Sequence, residues 1–225
     1  MKPNTTLKRT TLLPGLVLCG LVLLLAVIVN ARLLQSIDLQ VTLFLQSVLP
    51  RSLDLPSSLL SLAGSAEVTV PVFAILVLLS RPEIRIKLVL LFALLTLLEV
   101  GGKHLINQLE PPDELVRYLF RFGTPTGRIS TPFSYPSGHA ARTSFLAVLA
   151  IALIVQSRAR PATRRILIAV VLVTAVAMLV SRVYIGDHWS TDVIGGALLG
   201  AGLCLCARLT DSERESRIRS VGGAP

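Results

Sequence analysis

The chain has 225 residues, 52% of them hydrophobic and 16% charged, with a formal net charge of +9. So much apolar content against so little charge excludes an ordinary water-soluble domain and points to an integral membrane protein. The positive charge then reads as orientation and not as nucleic-acid binding. With the N-terminus cytoplasmic, Lys2, Lys8 and Arg9, then Arg81, Arg85 and Lys87, then Arg158, Arg160, Arg164 and Arg165, then Arg208, Arg214, Arg217 and Arg219 all fall on the inner face, in accord with the positive-inside rule.

Six stretches are long enough to cross a hydrocarbon core, at residues 12–29, 58–79, 88–106, 139–155, 166–183 and 192–207. The expected fold is all-α, a six-transmembrane-helix bundle. The first stretch follows a basic segment, but its apolar run exceeds that of a signal peptide, so it reads as an uncleaved helix. Between the first two spans, "LLQSIDLQVTLFLQSVLPRSLDLP" mixes Leu, Val and Phe with Asp38, Gln40 and Gln46; it reads either as a short amphipathic surface helix or as a solvated linker. The third span is followed by residues 108–137, whose Pro-Pro pair and repeated Thr, Pro, Gly and Ser mark an irregular outer, extracytoplasmic loop. The spans leave no room for a second domain, so residues 1–210 form a single integral membrane domain and residues 211–225 a disordered cytoplasmic tail. Cys19, Cys204 and Cys206 all lie within spans and behave as small apolar residues. Gly196 and Gly200 have small-xxx-small spacing, which suits close helix packing.

Charges at the bilayer centre cost at least about 2.5–3.5 kcal/mol, so ionisable residues near spans need partners or a function. Lys103, alone at the outer end of the third span, reads as a snorkelling lysine. In "YPSGHAARTSF", Pro136 stops a preceding helix and Ser137 is a good N-cap. The helix then starts at Gly138, and its free N–H groups form an anion site beside Arg142, which shares a face with His139. In "SRVYIGDHWSTD", Asp192 lies four residues after His188, so its carboxylate can hold one imidazole nitrogen and leave the other free as a nucleophile or base. Three cations, two histidines and a helix start on one membrane face suit phosphoryl chemistry. No metal-binding set is apparent, and no cofactor is expected.

These residues resemble the type 2 phosphatidic acid phosphatase family of integral membrane lipid phosphatases, which shares its site with vanadium-dependent haloperoxidases. The second block of the family signature is complete in Pro136, Ser137, Gly138 and His139, and the third in Ser181, Arg182, His188 and Asp192. The resemblance implies that His188 attacks phosphorus to form a phosphohistidine, oriented by Asp192, and that His139 protonates the leaving lipid oxygen. It assigns Lys103, Arg182, Ser137 and Gly138 to the phosphate, without a metal. It also implies a lipid phosphate or diphosphate as substrate, such as undecaprenyl diphosphate, phosphatidic acid or phosphatidylglycerophosphate. The expected setting is a bacterial inner membrane, with both termini cytoplasmic and the site extracytoplasmic. The first block departs from the signature: Glu110 precedes Pro111 where the family has an arginine. Arg142 is the best substitute cation, with Arg121 and Arg128 weaker ones. Glu110 also motivates an alternative, a catalytically inactive relative that binds or moves phospholipid.

Overall fold

The computed structural model describes residues 12–117 and 133–207. Among them there are eight α-helices: α1 (Leu13–Asn30), α2 (Gln35–Val48), α3 (Asp54–Ala63), α4 (Ala66–Leu79), α5 (Pro82–Leu105), α6 (Gly138–Gln156), α7 (Pro161–Tyr184) and α8 (Ser190–Cys206). Single 3-10 turns precede α3 and lie between α5 and α6. Prolines open α5 and α7, where their missing N–H is not needed and their fixed φ favours the first helical turn.

Three helices, α1, α6 and α7, are long and apolar enough to cross a membrane, and α8 is apolar but shorter, at 17 residues. The stretch read as one span at 58–79 is two helices: the chain breaks at Gly64 and Ser65 and bends by 52° between α3 and α4. Counted as one, the bent pair makes a fourth candidate. At the break Ser65 has extended backbone, which ends one helix and begins the next, and its hydroxyl makes no capping hydrogen bond.

Helices α6 and α8 form the central pair, with α1 against α8, α4 and α5 flanking α6, and α3 against α7. The α6–α8 contact depends on glycine. A Cβ on Gly200 would lie 1.9 Å from the Ala141 carbonyl oxygen, and one on Gly196 would lie 2.3 Å from that of Ser137. Below the site the core is aromatic: Phe73 of α4 stacks on Phe92 of α5 at 4.0 Å between centroids, and Phe145 of α6 meets both edge-on. The outward faces are apolar, as at Leu23, Leu97 and Val173, each about seventy per cent exposed.

The segment with the amphipathic pattern forms α2, and its polar side faces inward. Asp38 and Thr42 are buried, while Leu43, Phe44 and Val48 are exposed. The following chain is tied down. Gln46 donates to the carbonyls of Leu115 and Tyr184, and Arg117 donates to the Gln46 carbonyl at 2.9 Å and lies over the Tyr184 ring. The basic residues before Leu12, the loop residues Arg121 and Arg128, and the tail from Arg208 onward lie outside the described residues.

Candidate active site

Two helix starts meet here. Ser137 caps α6, its hydroxyl accepting from the Ala140 N–H at 3.5 Å. The Ser137 N–H donates to the Asp192 carbonyl at 3.0 Å, which ties the α6 start to the first turn of α8. The turn between α7 and α8 folds back on itself, with the N–H groups of Asp187 and His188 both reaching the Arg182 carbonyl. Gly186, at φ +71°, makes that turn possible, and a Cβ there would also strike the Leu115 carbonyl.

His188 sits at the centre. Its Nδ1 is 3.3 Å from Asp192 Oδ2, and that oxygen also accepts from the Trp189 N–H at 3.0 Å. Asp192 is fully buried. With Nδ1 facing Asp192, Nε2 points to the other side, where Asp187 Oδ2 lies 3.7 Å away. Arg182, at the end of α7, pairs with that same Asp187 oxygen and donates its other amino group to the Ser61 hydroxyl of α3. Burial and the neighbouring Glu110 raise the Asp187 carboxyl to about 7, while Lys103 opposes that rise; contact with the Arg182 guanidinium also favours the charged form.

His139, in the first turn of α6, lies close enough to Arg182, Arg142, His188 and Lys103 for their charges to act on its ring. Gly64, at the α3–α4 bend, leaves the space its ring needs: a Cβ there would be 3.0 Å from His139 Cδ2. Lys103 and Arg142 come from different helices and converge on one acid, Glu99 of α5. The Lys103 ammonium is 3.5 Å from Glu99 Oε1, and Arg142 donates to Oε2 at 2.8 Å. The anion beside Gly138 in this structure is that carboxylate, since a Cβ on Gly138 would lie 1.8 Å from Glu99 Oε1.

The structure thus gathers Lys103, Ser137, Gly138, His139, Arg142, Arg182, His188 and Asp192 around one place. Glu110 is exposed, and its charge still reaches Asp187. Among the described residues no group of three or more His, Cys, Asp or Glu is arranged to hold a metal.

Five contributors escape the sequence reading, among them Asp187, which in sequence is only part of the turn before His188. Ser61 and Gly64 lie on a bend that no apolar pattern marks. Glu99 carries a usable signal, being a lone acid within an apolar run, four residues before Lys103. Asp38 lies far from both motifs in sequence, yet it accepts from the Ser190 hydroxyl at 2.6 Å and from the N–H and hydroxyl of Thr191 at 2.9 and 2.6 Å.

The PAP2 superfamily pattern matches residues 84–215. An undecaprenyl-diphosphatase of Sulfolobus acidocaldarius is 37% identical over 146 residues, 63% of this chain and 63% of that protein. Phosphatidylglycerophosphatase B of Escherichia coli is 31% identical over 96 residues, 39% of this chain and 36% of that protein. The matches therefore span less than two thirds of either relative. The crystal structure of a transmembrane PAP2 type phosphatidylglycerolphosphate phosphatase from Bacillus subtilis superposes with a TM-score of 0.69, covering 91% of this chain and 96% of that one at 23% identity. At that identity the likeness speaks for the fold.

Proposed function

The chain belongs to the PAP2 superfamily, and on that footing we propose that it is a membrane lipid phosphatase acting on a lipid phosphate or diphosphate through a phosphohistidine intermediate at the extracytoplasmic face. The observation that carries the reading is the His188–Asp192 pair, 3.3 Å apart, beside three cations and the start of α6. A protein that only binds lipid needs no imidazole held by a buried carboxylate. The relatives' names put undecaprenyl diphosphate and phosphatidylglycerophosphate first among candidate substrates, with phosphatidic acid beside them.

In this mechanism Asp192 holds Nδ1–H, and Nε2 of His188 attacks phosphorus in line with the leaving lipid oxygen. The new N–P bond forms as the P–O bond breaks, and His139 gives its proton to the departing oxygen. Lys103, Arg182 and the N–H groups at the Ser137–Gly138 helix start take the equatorial oxygens, with Arg142 in place of the arginine that Glu110 replaces. His139 then takes a proton from water, whose oxygen attacks phosphorus, releasing inorganic phosphate and restoring His188. In this reading the helices form six spans of a bacterial inner membrane protein, with both termini cytoplasmic.

The test is phosphate release by purified protein, with EDTA present, from a panel of mono- and diphosphate lipids. The wild type is expected to release phosphate, and His188→Ala and His139→Ala to lose at least about 100-fold in rate. Undiminished release in either variant ends this assignment of roles.

A further inference from the structure

Each cation assigned to the phosphate faces a carboxylate of the chain itself. Arg182 pairs with Asp187 Oδ2, and this oxygen lies 3.7 Å from His188 Nε2, the nitrogen that Asp192 leaves free. Lys103 and Arg142 are 3.5 and 2.8 Å from the two oxygens of Glu99, which is lodged against Gly138 at the start of α6. The two carboxylates therefore occupy both halves of the anion seat, one beside the nucleophile and one beside the helix start. Glu99 does not use up its partner, because Arg142 Nε is buried with no hydrogen-bond acceptor among the described residues. A buried acid on a helix in lipid is costly, so its presence calls for a role.

We propose that Glu99 and Asp187 are internal anions that hold the phosphate-binding cations between turnovers and weaken the site's grip on inorganic phosphate, so that product leaves readily. The inference rests on the phosphatase reading above. Its logic is differential binding. Negative charge beside the seat lowers the affinity of every phosphate, but a lipid substrate regains binding energy through its chains, and free phosphate has nothing else to hold it. Both residues act through the cations and are positioning residues, not catalytic ones.

The experiment uses the full chain in detergent, with inorganic phosphate alone as the probe. Phosphate binding is read from the rise in thermal unfolding midpoint with concentration, and product inhibition is read in parallel with lipid substrate. Glu99→Gln and Asp187→Asn keep size and an acceptor oxygen while removing the charge. Each is expected to bind phosphate about tenfold more tightly, the scale of one like charge removed from a partly screened site. Each should also lower kcat more than kcat/KM, as release becomes slow. A carboxylate that merely props up its cation would leave phosphate affinity unchanged or weaker when removed, so either folded variant behaving that way overturns the proposal. Should an amide variant fail to fold, Glu99→Ser and Asp187→Ser, which also remove the charge, take its place. Both are expected to tighten phosphate, and no tightening overturns the proposal in the same way. Phosphate binding is read without lipid, so absence of hydrolysis across the lipid panel would refute the phosphatase reading separately.

Discussion

Asp38 shows how a residue far from the chemistry can govern it. Its carboxylate gathers Ser190, both polar groups of Thr191, and Gln108 at 3.2 Å, and it is 1% exposed. Ser190 and Thr191 lie in the first turn of α8, which also carries Asp192 and begins two residues after His188. Removing the carboxylate leaves buried donors unsatisfied, at about 1–3 kcal/mol each, and loosens the turn that aims the imidazole. Asp38→Ala is expected to lower the unfolding midpoint and to cut kcat by about tenfold or more, since small displacements of a positioned nucleophile are costly. Thermal unfolding and phosphate-release kinetics check both; a variant with wild-type kcat would show that α8 keeps its aim without Asp38. The residue was not legible in advance, because in sequence it is one polar position in a mixed segment, and only the folded chain brings α2 against the start of α8.

At the scale of helices, glycine sets the spacing on which the site depends. The small-xxx-small pattern in the last span suggests close packing, and the structure identifies what approaches: the backbone carbonyls of Ser137 and Ala141 on α6. Because lipid tails are as apolar as the helix surfaces, close contact and not apolar burial holds such pairs together. Gly200→Ala places a Cβ 1.9 Å from the Ala141 oxygen, so α6 and α8 must separate and the two histidine-bearing starts move apart. The expected result is a lower unfolding midpoint and reduced phosphate release. Gly20→Ala on α1 is the control: nothing lies within 4 Å of the new Cβ, and alanine favours a helix over glycine by about 1 kcal/mol. Equal behaviour of the two variants would mean that the glycine contact does not set the spacing. The bend between α3 and α4 has no such warning, since the apolar run passes through Gly64 and Ser65 and periodicity alone reads it as continuous.

For the whole molecule, the orientation proposed from the charge asymmetry has the α6–α7 connection on the cytoplasmic side and the site with the α5–α6 connection on the other. In a background with the native cysteines replaced, Arg158→Cys should react with a membrane-impermeant thiol reagent only after the membrane is opened. Asp113→Cys should react in intact cells or spheroplasts. Both positions are exposed, and the reverse labelling pattern would invert the orientation.

The sequence by itself determined the helical class and the membrane-length apolar runs, and it singled out the residues proposed for the phosphate. Those follow from hydropathy and from local spacing, such as the single turn that lets Asp192 reach His188. It also showed the gap at Glu110, because a motif is a pattern of residue types. Only the tertiary structure decided that Lys103 and Arg142 meet on Glu99, that Arg182 is shared between Asp187 and Ser61, and that Asp38 lies beneath the start of α8. The contacts of Arg142 with Glu99, Arg182 with Ser61 and Asp38 with Thr191 join residues 43, 121 and 153 positions apart, each pair on two different helices. The pairing of distant polar groups inside an apolar bundle is set by which helices pack together and how closely, and no local pattern encodes that.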